Sequence, residues 1–257
     1  MPKRRRWLPG RPRTNRAALA TIAVGVIVVA FVGVALVYFV IFPTSSPKPF
    51  TLTSSTVAST TGTTSATSPT TRSVSANELT GSWTVTSGSQ AGYRVREKLA
   101  FLPAQSDAVG RTPQITGGAS FRESKGTVTI TAASFNVAVS TLKSDRSMRD
   151  EKIHEIGLES SRYPTATFAL STPLTVPEGA LRGQVARVPV TGTFNIHGTS
   201  KQETLPVEMS LSGSTFAAVG SLTFPWSEFG MSAPSIGGFV NVTEQATMEF
   251  DLRLSRA

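Results

Sequence analysis

Residues 126–131 read GTVTIT, and this hexapeptide decides the fold class. Val128 and Ile130 fall on one face and Thr127, Thr129 and Thr131 on the other, the period-two alternation of a strand that buries one side. Working outward, the same alternation recurs along residues 81–257. Trp83/Val85 and Tyr93/Val95 precede it. Phe135/Val137/Val139, Ala166/Phe168/Leu170, Val188/Val190/Phe194/Ile196, Leu205/Val207/Met209/Leu211, Phe216/Ala218/Leu222/Phe224 and Met248/Phe250/Leu252/Leu254 follow. Turn signals separate the runs at Gly117-Gly118, Lys125-Gly126, His197-Gly198 and Ser212-Gly213. The pattern predicts an all-β domain of about eight or nine antiparallel strands. A one-faced sheet of that size must close into a barrel or fold into a sandwich to bury its apolar face and manage its edges. Periodicity leaves both open. One segment departs from it: Ser147-Met148-Arg149-Asp150 fits a capping box, and Ile153 and Ile156 follow at helical spacing before Gly157. That spacing predicts a short helix over residues 147–156, lying over one end or side of the sheet.

The chain before residue 81 has a different texture. Residues 17–42, AALATIAVGVIVVAFVGVALVYFVIF, hold no charged side chain. As a helix this run would be about 39 Å long, enough to cross a hydrocarbon core of about 30 Å with some tilt. Lys3, Arg4, Arg5, Arg6, Arg11, Arg13 and Arg16 precede it without one acid, and the nearest charge after it is Lys48. Positive flanks stay in the cytoplasm, so residues 1–16 read as a cytoplasmic tail, residues 17–42 as a single uncleaved membrane span, and everything after as extracytoplasmic. Residues 43–80 read as a disordered linker, because 20 of the 33 residues 44–76 are Ser or Thr and little is present to repay the entropy of ordering.

The net charge of +9 belongs mostly to the tail: residues 1–16 carry +7, and residues 81–257 hold 16 basic against 15 acidic side chains. A basic nucleic-acid surface is thereby excluded. Zero cysteines exclude disulfides, thiol catalysis and Cys-based metal centres. The two histidines, His154 and His197, fall on the expected helix and in a hairpin turn, with no clustered ligands or triad partners. No catalytic or metal site is expected.

Several stretches of the domain fall in an order that resembles the YceI-like family of polyisoprenoid-binding proteins. They are Ser140-Thr141-Leu142-Lys143-Ser144-Asp145, then Arg149-Asp150, then Tyr163-Pro164-Thr165-Ala166-Thr167-Phe168. Residues 190–201, VTGTFNIHGTSK, run into Leu205-Pro206-Val207, and Trp226-Ser227-Glu228-Phe229-Gly230-Met231 precede the last strand. The forms GYRVRE at residues 92–97 and VGRT at residues 109–112 resemble those of membrane-anchored bacterial members. The resemblance implies a lipocalin-like, eight-stranded antiparallel barrel with an apolar tunnel for an isoprenoid chain, such as a quinone tail or a polyprenyl lipid. The pattern departs from the family at Trp226, where Arg is usual, and in the first strand, which lacks the usual Ser and His.

On this reading Tyr93, Phe135, Phe168, Phe194, Phe216, Phe224 and Phe250 are the candidates to line a tunnel, and the reading of each as ordinary core stands beside it. Arg111, in an expected loop between Gly110 and Pro113, and Arg149 are the candidates to touch a lipid head group. Local ion pairing is the alternative role for Arg149 and Asp150. Two functions follow: a membrane-anchored, non-catalytic carrier of an isoprenoid lipid, or a structural module with a solid barrel that acts through its surface.

Overall fold

The computed structural model describes residues 46–52, 79–99, 105–236 and 240–257. The expected cytoplasmic tail, membrane span and most of the linker lie outside these residues. Among the described residues no helix is long and apolar enough to cross a membrane.

The strands are β1 (Gly81–Val85), β2 (Gln90–Leu99), β3 (Gln105–Thr112), β4 (Ile115–Ser124), β5 (Thr127–Ala138) and β6 (Thr165–Leu170). They continue with β7 (Leu174–Thr175), β8 (Ala186–Ile196), β9 (Thr199–Ser212), β10 (Thr215–Pro225), β11 (Ser235–Ile236) and β12 (Val240–Arg256). The hydrogen-bonded path runs β1-β4-β5-β6-β8-β9-β10-β12, and β12 pairs back to β1, so the sheet closes. The closing register is Trp83↔Arg256 through Val85↔Leu254. This pairing settles barrel over sandwich.

The barrel has eight strands because β1 and β2 are halves of one bent strand, and β3 and β4 halves of its hairpin partner. β12 pairs with β1 at its C-terminal end and with β2 before it, while β1 faces β4 and β2 faces β3, both antiparallel, with the register shifted by one residue at the bend. The bends occur where the ladder is broken by side chains that satisfy the freed backbone. At the first, buried Ser89 accepts from the Arg253 amide at 2.9 Å and donates to the Thr86 carbonyl at 2.9 Å. At the second, beside Pro113, fully buried Thr112 accepts from the Gln114 amide at 3.0 Å and shares a 2.6 Å hydrogen bond with Thr141.

The two alternating runs Val128/Ile130 and Phe135/Val137 belong to one strand. Between them the register with β4 slips, Ser120 facing Ala132 and Phe121 facing Ile130, which leaves Thr131 as the extra residue of a bulge. The bulge resets the phase and keeps both runs facing inward. Gly117-Gly118, expected as a turn, instead lies inside β4. A Cβ at Gly117 would sit 2.1 Å from the Ser134 carbonyl oxygen and one at Gly118 2.0 Å from that of Trp83, so these glycines let neighbouring strands approach where the barrel wall bends. Lys125-Gly126 and His197-Gly198 are tight turns as expected, with both residues of each pair at positive φ.

Because the strands alternate in direction, the β2–β3, β5–β6, β8–β9 and β10–β12 connections share one end of the barrel. The β5–β6 connection there forms a cap. It comprises a 3₁₀ turn (Val139–Thr141), helix α1 (Ser147–Lys152) and a π turn (Ile153–Gly157). The expected capping box does not form: Arg146 is the N-cap residue, and the Asp150 carboxylate instead accepts from the Ser144 amide at 2.8 Å. The opposite end is filled by Trp83, Phe121 and Phe216, with ring centroids 5.2 and 5.1 Å apart, and by helix α2 (Glu178–Leu181).

Seven residues of the expected linker lie against the barrel. Residues 46–52 cross the outer face of β3, β2 and β9. Arg94 donates to the Pro47 carbonyl and Arg111 to the Lys48 carbonyl, both at 2.7 Å, and the Leu52 amide donates to Glu208 at 3.3 Å. The Phe50 ring stacks 3.8 Å from the Arg111 guanidinium.

Candidate functional site

Inward-facing side chains of the eight strands do not fill the barrel. They leave a partly open cavity of about 190 Å³. Its wall is built by the alternation: Val190, Phe194 and Ile196 from β8, Leu205, Val207 and Met209 from β9, and Met248, Phe250 and Leu252 from β12. At the capped end Leu142, Ile153, Leu158, Trp226 and Met231 complete it. Among the described residues no Lys or Arg side chain borders it. Its one carboxylate among the described residues, Glu249, belongs to the outward phase of β12, where it pairs with Arg111 at 2.7 Å and Arg94 at 3.4 Å. An apolar lining offers water no partners, and a closed apolar space of about 150 Å³ accepts benzene.

Between the cavity and the cap lies a second pocket of about 20 Å³, bordered by Tyr93, Glu97, Arg149, Ile153, Pro234 and Val242. That is room for one water-sized group. Here Arg149 on α1 donates from Nε and Nη2 to the two oxygens of Glu97 on β2, each at 2.9 Å, and also pairs with Asp145. Burial opposes the charge on Arg149 more than any single contact favours it, but the hydrogen bonds and charges of Glu97 and Asp145 together raise its pKa. Among the described residues Ser144 is the side chain that neighbours the buried Tyr93 hydroxyl, and no group of three or more acids or histidines is placed to hold a metal.

The family model of the YceI-like domain matches residues 50–254. The chain belongs to the YceI-like domain family. Among solved structures its fold is similar to a polyisoprenoid-binding domain from Saccharophagus degradans implicated in plant cell wall breakdown. That similarity has 14% identity and a TM-score of 0.50, and covers 68% of this chain and 98% of that one. BcnA of Burkholderia cenocepacia is 20% identical, with a TM-score of 0.46 over 63% of this chain and 95% of that one. The YceI protein of Campylobacter jejuni is 14% identical, with a TM-score of 0.46 over 62% and 91%. Comparison with curated protein sequences finds no match.

In this YceI-like domain all seven aromatic candidates, Tyr93, Phe135, Phe168, Phe194, Phe216, Phe224 and Phe250, border the cavity. The two head-group candidates are not together. Arg149 lies at the capped end, in the small pocket. Arg111 lies in β3 rather than in a loop, on the outer face of the barrel, because its position is one out of phase with the inward residues Gly110 and Thr112. Its guanidinium is taken up by Glu249, Lys48 and Phe50. Trp226, where the family usually has Arg, donates from Nε1 to the Thr243 carbonyl at 2.9 Å, where β12 bulges between Val242 and Ala246. An indole thus closes this part of the wall without a charge.

Sequence reasoning missed Glu97. The signal was present: in Tyr93-Arg94-Val95-Arg96-Glu97 it shares the inward phase of Tyr93 and Val95, and an inward carboxylate requires a cation. His154 and His197 serve the cap. His154 bridges the Leu142 carbonyl and Ser160, each at 2.9 Å; His197 packs on Tyr163 at 4.2 Å between ring centroids and lies 3.4 Å from Glu159.

Burial pushes the Tyr93 phenol up from its ordinary value, and the Arg149 charge, which acts the other way, does not cancel it. The folded protein therefore keeps the phenol protonated at a pH where the unfolded chain has lost that proton. Its contribution to stability is complete below about pH 10 and is lost as pH rises further. Tyr93→Phe is expected to change stability at neutral pH by about 1 kcal/mol or less and to move alkaline unfolding to higher pH. A pH titration of circular dichroism reads both, and an unchanged alkaline midpoint would contradict the burial of this hydroxyl.

Proposed function

We propose that this YceI-like domain binds an amphipathic isoprenoid lipid, of quinone or polyprenyl type, and does no chemistry on it. The apolar chain occupies the barrel cavity, and its head end lies at the capped end. The observation that carries this reading is the apolar cavity of about 190 Å³ in a barrel that a solid core would have filled. Phe135, Phe168 and Phe250 on its wall are only half-buried, so their rings have room to turn as a longer chain enters. The Tyr93 hydroxyl borders the same small pocket as the Glu97–Arg149 pair, and a hydroxyl donor there suits an uncharged acceptor such as a quinone carbonyl. The protein is held at the outer surface of the cell membrane by residues 17–42, with its amino terminus inside, as their uncharged length and one-sided basic flank support.

Native mass spectrometry of the full chain released from detergent tests the reading. The expected spectrum shows an adduct of several hundred daltons that organic extraction identifies as a prenyl lipid. A bare chain mass that persists after incubation with quinones and polyprenyl phosphates overturns it.

A further inference from the structure

The cap is apolar on two sides. Ile153 faces the cavity. Outward, the same short segment carries the two large hydrophobic side chains that stand exposed among the described residues, Met148 at 61% and Ile156 at 39%. Single exposed apolar residues need no explanation. Here both belong to the element that separates the cavity from solvent.

A second observation places the chain's entry at this end. The Ser46 hydroxyl donates to the carbonyl of Asp107 near the start of β3. Asp107 is the register partner of Arg96, whose neighbour Glu97 holds Arg149 of the cap. Phe42 ends the uncharged run four positions before Ser46, a length of chain that spans at most about 14 Å. Charge sets the kind of surface this end fits. Residues 143–162 carry five basic and five acidic side chains, so nothing there selects an anionic partner.

We propose that the capped end is a membrane-docking face. Met148 and Ile156 enter the apolar border of the bilayer that holds residues 17–42, and lipid passes between bilayer and cavity beside Ile153 without crossing water. This rests on the lipid-carrier reading above. Docking is apolar in origin and does not depend on anionic lipid.

The chain has no cysteine, so single labels report single positions. The full chain is reconstituted in phosphatidylcholine vesicles as Met148→Cys, Ile156→Cys or Ser214→Cys, the last in the β9–β10 turn at the opposite end. Each carries an environment-sensitive fluorophore. A nitroxide high on the phosphatidylcholine acyl chain is expected to quench labels at 148 and 156 several-fold more than at 214, and aqueous iodide to show the reverse order. Adding phosphatidylglycerol is expected to leave both unchanged. Labels at 148 and 156 that are as open to iodide as the label at 214 overturn the proposal. Shielding from iodide without quenching by lipid, as a protein partner would give, also overturns it. Native mass spectra of the same samples separate the two readings. Unquenched labels with a lipid adduct present sink docking alone, whereas quenched labels with no adduct sink the carrier reading and leave the docking face standing.

Discussion

Arg149→Met is expected to destabilise the domain by about 3–5 kcal/mol, the cost of stranding a buried carboxylate without its cation. Glu97 is 5% exposed and faces inward on β2. Both of its oxygens accept from Arg149 at 2.9 Å. Without the guanidinium, the carboxylate must take up a proton or draw water into an apolar wall. The double variant Arg149→Met with Glu97→Met removes the desolvation problem along with the pair, and is expected to recover most of the loss. Denaturant midpoints read by pulse proteolysis measure all three proteins. A double variant as unstable as the single one would mean that the pair holds the cap through packing of the Arg149 stem, with its charge incidental.

Two phenylalanines on the same sheet are expected to respond very differently to truncation. Phe121 is 3% exposed and packed between Trp83 and Phe216 at the filled end. Phe121→Ala should cost about 3–5 kcal/mol. Phe135 is half-buried and already borders empty space. It has fewer neighbours to lose, its ring lying 6.3 Å from that of Phe168, so Phe135→Ala should cost about 1–2 kcal/mol. Equal losses at the two positions would show a uniformly packed barrel and restore the solid structural module as the better reading.

How much of this was legible beforehand varies with the range of the interaction. Strand content and inward phase are local properties, since a side chain's face in a strand follows from its parity. That is why Phe168, Phe194, Phe216 and Phe250 could be assigned to the interior, where they border the cavity. Parity failed where the backbone departs from a regular strand. Thr131 at the bulge joins two runs that read as separate, and Gly117-Gly118 reads as a turn because the sequence does not show the strands that crowd them. Arg111 was misplaced for a related reason: Gly110 and Pro113 suggested a loop, whereas β3 continues through Arg111 and ends at Thr112.

The sequence by itself determined an all-β domain with one apolar face, a short helix interrupting it, and a family membership carried by motifs in a fixed order. All of these depend on neighbours within a few residues. Only the tertiary structure decided that the sheet closes, through the pairing of Trp83, Thr84 and Val85 with Arg256, Ser255 and Leu254. It also decided that Glu97 meets Arg149, that residues 46–52 belong to the barrel, and that the inward side chains stop short of filling it. Closure and cavity volume depend on how many strands meet, at what bend, and with which side chains opposed across the interior. Those are sums over contacts between residues far apart in the chain, and a local pattern does not contain them.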